Sequence, residues 1–224
     1  MNILQKRFPR KVCLKLLILS ISVLFTAHFV TTKILLTLIA FFAASVANAT
    51  AIGGGFLFMP LFIFIYKLAP IAALKLSIAT QAFGMTSGAL TWGRRYIDKP
   101  AFILGSIASI FGVWLATYVW VIPSSYIKPL FAVISLGVFI ALVVEMKLKL
   151  PNEKNLVNFK LNYQLIGFWL SAFAGGLITG WTAIGVGEVV ALYLLFFYRL
   201  SLDIAIGTGV AVLAVSSLAG FLFH

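Results

Sequence analysis

The sequence predicts an all-α integral membrane protein: a duplicated unit with broken or re-entrant helices, the two copies forming inverted repeats. Three observations predict it. Hydrophobic residues make up 62% of the 224-residue chain and charged residues 10%, against the roughly 25% charged residues of a soluble domain. Two apolar runs are interrupted by glycines, AIGGGFLFMPLF from Ala51 and AIGVGEVVALYL from Ala183. The separation of Gly53 from Gly185, 132 positions, superposes the two regions without a gap and also pairs Thr50 with Thr182, Gly55 with Gly187, Tyr66 with Tyr198 and Gly88 with Gly220.

Residues 1–33 form a leading segment in which Lys6, Arg7, Arg10, Lys11 and Lys15 precede the apolar run Leu16 to Val30. This pattern suits a signal anchor or a cleaved signal peptide, and the retained anchor is the reading adopted. The first membrane repeat is residues 34–146. Its opening arm, Ile34 to Thr50, and second arm, Phe56 to Tyr66, are each short for a full span at ~1.5 Å per residue. Gly53, Gly54, Gly55 and Pro60 interrupt the helix between them. Ile71 to Trp92 is a helix, and two ordinary spans follow, Ala101 to Ile122 and Tyr126 to Met146. Residues 147–162 are a polar linker. The second repeat, residues 163–224, has arms Tyr163 to Thr182 and Val189 to Tyr198 and a helix from Leu202 to Phe223. Counterparts of the two spans at 101–146 would fall after His224, so a shortened form or assembly with a partner chain or a second copy is expected.

The net charge of +12 sits in short clusters between apolar runs, a pattern that sets membrane topology and argues against nucleic acid. It places the N-terminus and the linker on the cytoplasmic side of a bacterial-type inner membrane. If each broken element enters and leaves on one face, the repeats are inverted and the breaks meet near the midplane, where secondary transporters build their sites. The lone Cys13 excludes disulfide frameworks and cysteine metal clusters within the chain. With no HExxH motif and no serine and histidine in one polar cluster, neither an enzyme nor a metal or cofactor site is expected.

In hydrocarbon an unpaired backbone group costs several kcal/mol, so a broken helix persists only where it is buried in protein or lines a polar cavity. Gly53, Gly54, Gly55, Gly185 and Gly187 are therefore candidates to present N–H groups to an anion, with tight helix packing as the alternative. Asn48, Thr50 and Thr182 precede the breaks and would either bind solute or satisfy the broken backbone. Glu188, one of five acidic residues, stands beside the second break and is a candidate proton-coupling group; its structural alternative is a partner for Lys75. Lys75, Ser77, Thr80 and Gln81, on the helix after the first break, are candidate pore-lining groups, with snorkelling the alternative for Lys75.

The sequence NATAIGGGFLFMPLF from Asn48, followed by IAALKLSIATQ from Ile71 and by TWGRRYID, resembles the sulfite exporter TauE/SafE family of membrane permeases, which carry two copies of a glycine-rich motif. The second copy, GLITGWTAIGVGEVVALYL, matches more loosely, with Glu188 after Gly187 and no proline at Leu192. The resemblance covers about residues 34 to 224. It implies secondary transport of a small anion, a sulfur oxyanion such as sulfite or thiosulfate or an organosulfonate. The alternative is a membrane assembly or sensor subunit that keeps the permease fold without transporting.

Overall fold

The computed structural model describes residues 34, 36–93, 95–147 and 163–224; the leading segment and the polar linker lie outside them. Compactness divides the chain into Met1–Phe42 and Ala43–His224. Of the first unit only the start of a helix is described, with the Phe41 ring edge-on to Phe42. Helix α1 spans Leu36–Thr50. Helix α2 spans Gly55–Pro60 and runs directly into a π-helical turn, Leu61–Ile65. The remaining helices are α3 (Pro70–Trp92), α4 (Lys99–Tyr118), α5 (Ser124–Lys147), α6 (Tyr163–Thr182), α7 (Val186–Phe196) and α8 (Leu202–Phe223). No strand occurs among the described residues. Lys99–Tyr118, Ser124–Ala141, Tyr163–Thr182 and Leu202–Phe223 are long and apolar enough to cross a membrane.

Each boundary has a local cause. Helix α3 starts on Pro70, whose missing N–H would be unpaired in a first turn anyway. Helix α4 is capped by Asp98, whose carboxylate accepts from the Ala101 N–H at 3.0 Å. The second arm continues through Pro60, as the range Phe56 to Tyr66 expects, but it changes there from α-helix to the π turn Leu61–Ile65, which the sequence did not indicate. A proline without an N–H is one cause of such a local change in hydrogen-bond register.

The ends of α2 and α7 are built alike. Leu68 N–H bonds the Phe62 carbonyl at 3.0 Å, Leu200 N–H bonds the Leu194 carbonyl at 3.2 Å, and Lys67 and Arg199 before them hold left-handed φ of 52° and 54°. Each bond spans six residues, one more than the closing bond of a Schellman motif, and a basic residue takes the left-handed position before the donor, where glycine is usual. Ala51 and Ala183 are left-handed as well, at 58° and 59°. Among the described residues these are the only non-glycine residues with positive φ, and they fall in two pairs separated by the repeat shift. Left-handed backbone costs an L-residue ~1–2 kcal/mol; at Lys67 and Arg199 it accompanies the helix-end bonds, and at Ala51 and Ala183 it falls where the two breaks touch.

Helices α4, α6, α7 and α8 form the core with α3, which lies along α8. The approach of α4 to α6 depends on small residues. A Cβ at Gly112 would run into the Phe173 carbonyl, and one at Gly176 into the Ser109 carbonyl; absent side chains let the backbones touch. A buried Ser109–Ser216 hydroxyl pair, 2.6 Å apart, joins α4 to α8. Helix α5 stands at the edge, with most of its side chains outward.

Candidate functional site

The two interruptions lie against each other in the interior. After α1 the chain passes through Ala51 to Gly54 and enters α2 at Gly55; after α6 it passes through Ala183 to Gly185 and enters α7 at Val186. The contact is reciprocal. A Cβ on Gly55 would strike the Ala183 carbonyl, and a Cβ on Gly187 would lie 2.6 Å from the Ala51 carbonyl. Gly55 corresponds to Gly187 and Ala51 to Ala183 under the repeat shift, so each break uses the same two positions against the other. Glycine is required here by close backbone approach.

The backbone groups freed by the breaks are satisfied mainly by side chains. Gly53 N–H donates to Glu188 Oε1 at 2.8 Å, and Gly185 N–H donates to Glu188 Oε2 at 3.1 Å. Gly55 N–H donates to Gln81 Oε1 at 2.8 Å, and Gln81 Nε2 donates to the Ser217 hydroxyl of α8 at 2.7 Å. Val186 N–H donates to Thr179 Oγ1 at 3.1 Å. The N–H groups of Gly53, Gly55 and Gly185, expected from sequence to face a solute, are thus held by a carboxylate and an amide. Glu188 is buried and bridges both breaks. Beside it lies a cavity of about 510 Å³ walled by Thr50, Ile52, Ala191, Leu195 and Ala205, within the size range of small-molecule sites.

The other candidates lie in differing surroundings. Gly54 is buried at the first break. Ser77, buried one turn before Gln81 on α3, has a hydroxyl without a hydrogen-bond partner, while Thr80 bonds back to the Leu76 carbonyl. Thr50 lines the cavity, donates to the Val46 carbonyl at 2.8 Å and accepts from Ile52 N–H at 3.3 Å. Thr182 likewise returns its hydroxyl to the Ile178 carbonyl at 2.8 Å. Asn48 and Lys75 are engaged elsewhere. The Asn48 amide donates to the Ala44 carbonyl at 2.9 Å and the Gly84 carbonyl at 3.3 Å, fastening α1 to α3. It sits by a smaller cavity of about 360 Å³ with Ser87, Thr91, Trp92 and Tyr96. Lys75 is exposed and donates to the His224 carbonyl at 2.8 Å. Sequence reading missed Thr179 and Ser217, which complete the polar network; a lone hydroxyl in an apolar helix carries no signal of its partner.

Glycine-broken elements meeting inside an apolar helical bundle, with helices long and apolar enough to cross a membrane, mark an integral membrane protein. The sulfite exporter TauE/SafE family model matches residues 36–224, and the chain belongs to that family of membrane transporters. Comparison with curated proteins and with solved structures gives no match.

Proposed function

We propose that the chain is a secondary transporter moving a small anion, a sulfur oxyanion or organosulfonate, through the region where the two breaks meet. The observation that carries this reading is the reciprocal contact of the breaks around buried Glu188, together with membership of the TauE/SafE family. The anion is bound at the breaks by N–H groups of Gly53 and Gly185 in place of Glu188, by those of Gly54 and Gly187, and by side chains of α3, of which Ser77 has an unused hydroxyl and Gln81 holds Gly55 N–H and reaches Ser217. Backbone donors of this kind favour negative charge without adding a buried cation.

Glu188 is the proton-coupling group, an intramembrane carboxylate next to the cavity. The paired left-handed residues and the reciprocal glycine contacts support two copies related by a local two-fold axis, because contact of position i with j and of the equivalent of j with the equivalent of i is its signature; the charge pattern, with each broken element entering and leaving on one face, supports their inversion. The basic clusters support a cytoplasmic N-terminus in an inner membrane.

The test is flux of radiolabelled sulfite, thiosulfate and sulfate into proteoliposomes containing the purified chain, with and without a pH gradient. Saturable flux of at least one anion, altered by the gradient, is expected. Folded protein that gives no flux above empty vesicles refutes the proposal.

A further inference from the structure

We propose that the ionised Glu188 carboxylate is the tie that holds the two chain breaks together, and that uptake of a proton releases it, making Glu188 a positioning residue whose charge sets the contact between the repeats. This deepens the reading of Glu188 as the proton-coupling group and rests on it. The hydrogen-bond pattern supplies the reason. Two backbone donors from segments far apart in sequence, Gly53 N–H at 2.8 Å and Gly185 N–H at 3.1 Å, converge on the two oxygens of one side chain. An ionised carboxylate offers an acceptor at both ends, whereas a protonated carboxyl carries an O–H at one of them. A proton on Oε1 or Oε2 therefore competes directly with one N–H donor and weakens the bridge on that side. Glutamine has the same fault, since its NH2 end faces a donor.

Among the described residues the rest of the contact lacks any proton-dependent group. The cavity wall from α1, α7 and α8 contains no titratable side chain besides Glu188. The polar groups contributed at the breaks by α3, α6 and α8 are Gln81, Thr179 and Ser217. Lys75 is engaged with the His224 carbonyl, the His224 ring bonds Gly180 of α6 and Thr117 of α4 away from the Ser109 and Gly176 contact, Asp98 caps α4, and Asp203 is exposed in the first turn of α8. What remains when Glu188 lets go is the Gln81 bridge and the close backbone packing at Gly55 and Gly187, which have no response to pH. Release of the tie thus frees the glycine N–H groups for an anion at the moment a proton arrives, which links the two solutes.

The tie is read by amide hydrogen exchange on the full chain in nanodiscs across a pH series, with rates corrected for intrinsic exchange. Peptides containing Gly53 and Gly185 are expected to lose protection together on acidification by roughly tenfold, as for loss of one hydrogen bond to a charged acceptor. Peptides of α4 and α6 at the Ser109 and Gly176 contact keep theirs. In Glu188→Gln, whose amide keeps an acceptor for one donor and opposes the other, protection at the breaks no longer changes with pH and is low at one break at least. Protection at the breaks that is independent of pH in the unsubstituted protein overturns the proposal, as does loss spread equally over α4 and α6. If the Gln variant does not fold, the titration of the unsubstituted protein decides alone. Exchange reads the tie without transport, so absence of flux in the same preparation counts against the transport reading only.

Discussion

Substituting Gly55 by alanine tests the reciprocal contact at its tightest point. The added Cβ would collide with the Ala183 carbonyl oxygen and lie 2.7 Å from Ala183 Cβ and 2.8 Å from its carbonyl carbon. All three atoms are backbone or bound directly to it, in a buried segment, so no side chain can rotate away. Overpacking of this kind costs ~1–3 kcal/mol, and the absence of a yielding neighbour puts Gly55→Ala near ~3 kcal/mol. For a chain of this size that corresponds to a fall in Tm of about 6–12 °C. Gly187→Ala meets the Ala51 carbonyl at 2.6 Å and Leu213 Cδ2 at 2.9 Å; the leucine can give, so its loss is smaller. Because both residues sit in one contact, opening it for the first alanine relieves the second, and the double variant loses less than the sum. The control is Gly84→Ala, where a Cβ meets nothing within 4 Å and a helix-interior alanine is worth ~0.5–1 kcal/mol of added stability. The assay is thermal unfolding in detergent followed by size-exclusion chromatography. Gly55→Ala as stable as Gly84→Ala would refute the close approach of the two breaks, and strict additivity of the pair would refute their sharing one contact.

Three further outcomes are expected from the same assay. Gln81→Leu removes the acceptor for Gly55 N–H and the donor to Ser217, at ~1–3 kcal/mol for a stranded buried N–H, whereas Ser217→Ala loses one bond and costs less; equal losses would contradict the bridging role. Thr179→Val strands Val186 N–H and costs ~1–3 kcal/mol, while Thr182→Val, whose hydroxyl only donates to carbonyls, costs below ~1 kcal/mol. Gly88→Ala drives a Cβ into the Asn48 amide, which must turn away from the Ala44 and Gly84 carbonyls at ~1–3 kcal/mol, and it costs less in an Asn48→Ala background, where those bonds are already absent. Failure of that rescue would place the clash elsewhere.

Much of this architecture is legible in the sequence because its causes are local. Apolar runs, glycine interruptions and polar linkers determine where helices begin, break and end, and the observed breaks fall at Ala51–Gly54 and Ala183–Gly185. Family membership is legible as well, since it resides in the duplicated glycine motif and its spacing. Pro60 was legible as a disturbance but not as a π turn, because its neighbours decide how the helix absorbs the missing N–H. The left-handed Ala51, Lys67, Ala183 and Arg199 had no signal at all: their residue types disfavour that backbone, which accompanies the helix-end bonds and the contact of the breaks.

What the sequence by itself determined is a membrane protein with two interrupted elements and an improbable carboxylate beside one of them. Only the tertiary structure decided what that carboxylate does. Glu188 stands next to Gly185 in the chain but reaches Gly53 from the other break, and the alternative partner, Lys75, is occupied at the His224 carbonyl. The physical reason is that helix breaks and periodicity follow from neighbouring residues. The partner of a freed N–H follows instead from which distant backbone the small residues allow to come close.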